Sequence, residues 1–162
     1  MNWFENAVFY HIYPIGYFGC PRQNDFTSEP THKILRVIDD IPHIKELGCN
    51  AVYFGPVFES SAHGYDTADY TKIDRRLGTN EDFKNVCDAL HENGIRVVLD
   101  GVFNHVGRNF WAFRDVRENK LGSAKKDWFH VREGNDGYND GFWYEGWEGH
   151  YELVKLNLYN TE

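Results

Sequence analysis

Three things are scarce in this sequence, and each scarcity closes off a class of protein. No apolar run approaches the roughly 20 residues needed to cross a bilayer, so no membrane-spanning helix is expected. Cysteine is limited to Cys20, Cys49 and Cys87, an odd number without metal-ligand spacing. They read as free thiols in a reducing compartment, and the expected location is the cytoplasm. Positive charge is short: 17 Lys and Arg face 25 Asp and Glu, a net charge of −8. That balance argues against nucleic acid or an anionic membrane as the main partner and suits a neutral ligand such as a sugar. The opening MNWFENAVFYHIYP has neither a basic n-region nor a small-residue cleavage site, so no secretory signal is expected there.

Aromatic residues, by contrast, are abundant. They make up 17 % of the 162 residues, and the surplus gathers late, in Trp111, Phe113, Trp128, Phe129, Tyr138, Phe142, Trp143, Tyr144, Trp147 and Tyr151. Broken by Gly and Asp, such a stretch has two readings: a surface that stacks on sugar rings, or a small satellite core beneath a long loop. Composition alone does not choose between them.

Two regions differ in pattern. Residues 1–105 alternate short apolar runs with helical periodicity, whereas residues 106–162 are rich in Trp, Gly, Asp and charge with weak periodicity. In the first region, residues 8–13, 51–54 and 95–99 read as strands, the last two as the short apolar runs of parallel strands covered on both faces. Ile41, Ile44 and Leu47 share a helical face, with Pro42 near a helix start and Gly48 as its stop. Asn80 is the expected N-cap of a second helix whose stripe is Phe83, Val86, Cys87 and Leu90, ended by Gly94. The order strand, helix, strand, helix, strand predicts an α/β fold with a parallel sheet and right-handed crossovers. Chemistry in such sheets gathers beyond the C-terminal ends of the strands, here after Tyr13, Phe54 and Leu99.

After the third strand stands Asp100-Gly101-Val102-Phe103-Asn104-His105. A carboxylate at a strand end is held rigidly, and His105 follows within reach of whatever sits there; the plainer alternative is a turn cap and an ordinary loop histidine. After the second strand, the loop His63-Gly64-Tyr65-Asp66 exposes an imidazole and a phenol at the same rim. A Tyr ring stacks on the C–H face of a pyranose and keeps its hydroxyl free for hydrogen bonding.

Together these segments resemble the α-amylase family, glycoside hydrolase family 13. The first family motif is matched by Asp100–His105 and the second-strand loop by His63-Gly64-Tyr65-Asp66-Thr67-Ala68-Asp69-Tyr70. Val8–Pro14 resembles the first barrel strand, Asp74–Thr79 the approach to the second helix, and Leu153-Val154-Lys155-Leu156-Asn157 the close of the family's B domain. The resemblance implies the first three β/α units of a TIM (β/α)8 barrel over residues 1–105 and an irregular, aromatic-rich B-domain-like insertion over 106–162. It also implies roles. Tyr65 would be the platform under the sugar at the cleavage site, His105 would hydrogen-bond that sugar's hydroxymethyl group, Asp100 would position the catalytic groups, and His63 would join them at the rim. Asn104 matches a calcium-ligating position of many members, but no carboxylate-rich loop follows it, so a structural role is preferred and no cofactor is required. The Lys155-Leu156-Asn157 form is similar to that of neopullulanases and cyclomaltodextrinases, although Val154 replaces the usual Pro.

The implied activity is hydrolysis of α-1,4-linked maltodextrins by a retaining mechanism, which requires two carboxyl groups roughly 5–5.5 Å apart. In the family both follow the B domain, so nucleophile and general acid are expected beyond Glu162 and the chain alone is expected to be inactive. Asp100 and Glu59 are a poor substitute, since no sequence spacing fixes one against the other. Three strands of eight would leave an open edge, to be covered by the remainder of the barrel or by self-association. The rival reading is a non-catalytic sugar-binding or assembly protein of the same fold; a metal-dependent hydrolase on Asp100, His105 and His63 lacks ligand spacing.

Overall fold

The three apolar runs of the first region do pair. In the computed structural model, which describes residues 2–161, β1 (Phe9–Ile12), β2 (Ala51–Phe54), and β5 (Arg96–Leu99) form a parallel sheet in the order β1-β2-β5. The register runs Phe9–Ala51–Arg96 to Ile12–Phe54–Leu99. Asn50 helps to set it, accepting from the Val8 N–H at 2.8 Å and donating to the Asn6 carbonyl at 3.0 Å. A one-turn helix α1 (Pro14–Tyr17) follows β1. The longer helices α2 (Val37–Glu46) and α3 (Asn80–Glu92) supply the two crossovers. A hairpin, β3 (Phe58–Ser60) with β4 (Thr67–Ile73), intervenes between β2 and α3 and was not legible as strands.

The described chain divides into two compact units: one up to Phe58 together with Thr71–Gly101, the other Glu59–Tyr70 together with Val102 onward. The loop 59–70, read from sequence with the first region, is thus grouped with the second.

The first unit is held by Ile12, Val52 and Phe54 from the sheet, Val37, Ile41 and Ile44 from α2, and Phe83, Val86 and Leu90 from α3, all buried. Each such side chain contributes about 1.5–3 kcal/mol on burial. Three local expectations need correction. Leu47 lies beyond α2 and is 54 % exposed; Val37 takes its place on the buried face. Pro42 sits inside α2 rather than at its start, because burial of Val37, Ile41 and Ile44 outweighs the one backbone bond that Pro removes. The N-cap of α3 is Thr79, not Asn80: Thr79 Oγ1 accepts from the Asp82 N–H at 3.1 Å, and Asp82 Oδ2 accepts from the Thr79 N–H at 2.8 Å. The Asn80 side chain instead bridges to Ile73 N–H and the Thr71 carbonyl.

Coverage on both faces holds for β2 but not for its neighbours. Phe9 in β1 is 48 % exposed and Leu99 in β5 38 %. Buried Asp74 and Arg76 form a bidentate pair, Nε to Oδ1 at 2.9 Å and Nη2 to Oδ2 at 2.7 Å, which closes the segment before α3.

The second unit is built on the antiparallel sheet β6 (His105–Gly107), β10 (His150–Lys155) and β9 (Gly146–Trp147), in the order β6-β10-β9. A two-stranded piece joins β7 (Val131–Arg132) to β8 (Trp143–Tyr144). Helix α4 (Trp111–Asn119) was not evident from the weak periodicity, yet it buries Ala112, Phe113 and Val116. These pack with Phe129, Phe142 and Tyr144. Much of the late aromatic surplus is therefore a satellite core, whereas Trp111, Tyr138 and Trp147 remain exposed.

Candidate functional site

The loop carrying His63 and Tyr65 closes on Asp66. Ser61 N–H donates to the Asp66 carbonyl at 3.3 Å, and His63 N–H donates to Asp66 Oδ1 at 3.1 Å. Gly64 allows the reversal, with φ at +94°. The Tyr65 N–H donates to His63 Nδ1 at 3.3 Å, and the two rings lie 6.1 Å apart. The turn leaves Tyr65 39 % exposed while Asp66 is buried. Burial raises the Asp66 carboxyl above the usual range, and the nearby His63 opposes this.

His105 opens β6, where its backbone pairs with Lys155 of β10. The Lys155-Leu156-Asn157 motif anchors this segment: Leu156 N–H donates to the Asn104 carbonyl at 3.0 Å, and Asn157 N–H to the Trp128 carbonyl at 2.8 Å. His105 is only 7 % exposed. Asn104 Nδ2 lies 3.2 Å from His105 Nδ1. With that amide donating, Nδ1 is an acceptor and Nε2 carries the proton. Nε2 is buried without a hydrogen-bond partner. Burial lowers the His105 pKa, the Tyr65 backbone pulls it up, and His63 pushes it down again. The group is thus a neutral imidazole whose Nε2 proton feels the Tyr65 backbone but closes no hydrogen bond to it, beside a loop that presents a phenol.

A further aromatic belongs to this neighbourhood. The Trp147 ring centroid lies 5.4 Å from that of His105, the planes inclined by 33°. Sequence reading placed Trp147 in the aromatic stretch but not at the site; its flanking Gly146 and Gly149 were the available signal.

The other predicted residues are described separately. Asp100, half-buried just after β5 in the first unit, donates its N–H to the Phe54 carbonyl at 2.9 Å. Asn104 is exposed, its amide engaged with His105. Among the described residues no group of three His, Cys, Asp or Glu is placed to hold a metal. A cavity of about 210 Å³ in the first unit, lined in part by Asp25, Ser28, Thr31 and Arg75, contains none of the predicted residues.

A flat exposed phenol and a dry, neutral N–H donor are the equipment for a sugar: a ring face to stack on, and a partner for a hydroxyl oxygen. A model of the alpha amylase catalytic domain matches residues 31–159. The chain belongs to the alpha-amylase family. It is 42 % identical over 144 residues to a cyclomaltodextrinase from a Bacillus species, a match covering 80 % of this chain and 26 % of that protein. It is 33 % identical over 181 residues to the intracellular maltogenic amylase of Bacillus subtilis, covering 99 % and 29 % respectively. The ligand-free structure of cyclic alpha-maltosyl-(1→6)-maltose hydrolase from Arthrobacter globiformis superposes with a TM-score of 0.81 at 39 % identity, covering 98 % of this chain and 39 % of that one. The chain spans about a quarter of the length of the curated relatives it matches. Family membership implies a TIM-barrel fold for the catalytic domain, and the parallel sheet β1-β2-β5 with its two helical crossovers is consistent with a portion of one. Among the described residues no helix is long and apolar enough to cross a membrane.

Proposed function

We propose that this chain is the N-terminal segment of a retaining α-glucan hydrolase that acts on α-1,4-linked maltodextrins, with its nucleophile and general acid supplied from beyond Glu162. The observation that carries this reading is buried His105, whose Nε2 has no partner, beside the loop of exposed Tyr65. In it Tyr65 is the platform under the sugar at the cleavage site and His105 donates to the hydroxymethyl oxygen. Asp100 positions the catalytic groups, and His63 orders the Tyr65 backbone. Asn104 serves a structural role, and calcium is not required. Residues 1–105 act as the first three β/α units of the barrel and 106–162 as a B-domain-like insertion. The exposed Phe9 and Leu99 are then surfaces that the remainder of the barrel, or a second copy, covers. Maltodextrin as substrate is supported by the names of the relatives, and by the Arthrobacter hydrolase having been captured in complex with maltose. A cytoplasmic location is supported by three free thiols and by the intracellular Bacillus subtilis relative.

The test is release of reducing ends from maltotriose by the purified chain, with and without the C-terminal remainder of the barrel, and with Asp100→Ala as control. The chain alone is expected to be inactive, and activity is expected only after complementation. Turnover by the chain alone that disappears in Asp100→Ala would place the bond-breaking carboxylates within residues 1–162 and overturn the reading. Maltotriose binding that never leads to hydrolysis, even with the complement, would favour a sugar-binding protein of the same fold.

A further inference from the structure

Within the late aromatic stretch of the second unit Trp111, Tyr138 and Trp147 are exposed, and their surroundings separate them. Arg108 lies over the Tyr138 ring at 3.8 Å. Trp111 meets Trp128 edge to face at 5.3 Å, with Lys125 above both rings. Neither ring contacts His105. Trp147 does: it is 38 % exposed and contacts the ring of His105.

The hairpin that presents Trp147 is built with little freedom. A Cβ at Gly146 would stand 2.5 Å from the His150 carbonyl oxygen, so the two strands approach more closely there than any other residue permits. Trp147 pairs with His150 across a two-residue turn, Glu148-Gly149, with φ of +49° and +85°. Positive φ at both central residues is the type I′ pattern that matches strand twist and fixes register. The first position holds Glu, which tolerates left-handed backbone poorly. His150 stacks on the indole at 6.1 Å and 27° and is itself paired with Glu152 at 3.3 Å. The turn thus keeps a large apolar ring partly exposed beside His105 rather than folded into the core of Phe113, Phe142 and Tyr144.

We propose that Trp147 is a specificity-determining sugar contact, stacking on the glucosyl unit that adjoins the one held by His105. This rests on the hydrolase reading and names a residue that reading does not use. The occupant is a neutral pyranose: the donor beside the indole is an uncharged imidazole, and Glu148 next to Trp147 in the chain disfavours anions. Tyr65 serves the unit at His105, so a second ring face serves the next unit along. Trp147 therefore matters more for substrates of two or more glucosyl units than for a single one.

The experiment uses the intact enzyme, comparing maltotriose with α-glucosyl fluoride, whose only sugar is the one at His105. For Trp147→Ala we expect a roughly tenfold loss of kcat/KM on maltotriose, carried by KM, and a several-fold smaller loss on the fluoride. Trp147→Phe, which keeps a ring in the same hairpin, restores most of the loss. Equal losses on both substrates would show that Trp147 only supports His105, and an unchanged KM for maltotriose would show that no sugar touches it. Either result overturns the proposal. If the parent enzyme cleaves neither substrate, the hydrolase reading fails and this one with it.

Discussion

Gly107 lies so close to the backbone of Asp66 that a Cβ there would stand 2.3 Å from the Asp66 carbonyl oxygen. Two residues after His105 and one after Tyr65, this contact joins the segments that carry the donor and the stacking ring. The obstructing atom is backbone, so it cannot swing aside as a side chain tip would. Gly107→Ala is expected to destabilise the protein by about 1–3 kcal/mol, the usual cost of overpacking. Gly122→Ala is the control, because nothing lies within 4 Å of a Cβ at that position. Urea-denaturation midpoints of the two variants check the contrast; equal midpoints would mean the two segments are not locked together.

A second prediction concerns pH. Burial lowers the folded-state pKa of His105 below its ordinary value of about 6.5. Between those two values the unfolded chain binds more protons than the folded one. Stability therefore rises with pH through that window and is lost as pH falls through it. Asp66, raised by burial, has the opposite sign at lower pH: stability falls as pH rises from its ordinary value of about 3.9 toward the raised one. Urea midpoints taken between about pH 5.5 and 7.5 should slope upward in the parent. The slope should flatten in His105→Gln, and persistence of the full slope there would assign it to another group.

The turn at Glu148 gives the third. Its φ of +49° is tolerated by Gly at no steric cost, whereas Glu is strained there. Glu148→Gly is expected to raise stability by about 0.5–1 kcal/mol, net of the greater freedom gained by the unfolded chain. Thermal unfolding measures it. A loss of stability instead would show that the Glu side chain holds the hairpin by contacts that outweigh its backbone strain.

What could be read from the residues followed from short-range rules. Strand β2 and the body of α3 fall where apolar spacing placed them, since a four-residue apolar run and a 3.6-residue stripe each have one natural conformation. The Thr79 cap was missed by one position because Thr and Asn both cap well; the choice was made by Asp82, whose carboxylate returns to the Thr79 N–H. Helix α4 was missed because five of its nine residues are polar or charged, and only Ala112, Phe113 and Val116 are buried.

The candidate site divides the same way. Tyr65, His63, Asp100, Asn104 and His105 were legible because each sits in a local string next to a strand end. Trp147 was not, since 42 positions separate it from His105 and no periodicity links them. By itself the sequence determined the parallel β/α order and the family, because those depend on patterns within a few residues and on ordered motifs. Only the tertiary structure decided which aromatics are core and which are presented, and that His105 keeps a buried donor unspent. Those outcomes depend on which distant backbones pack together, and close packing is a property of the folded chain rather than of any one segment.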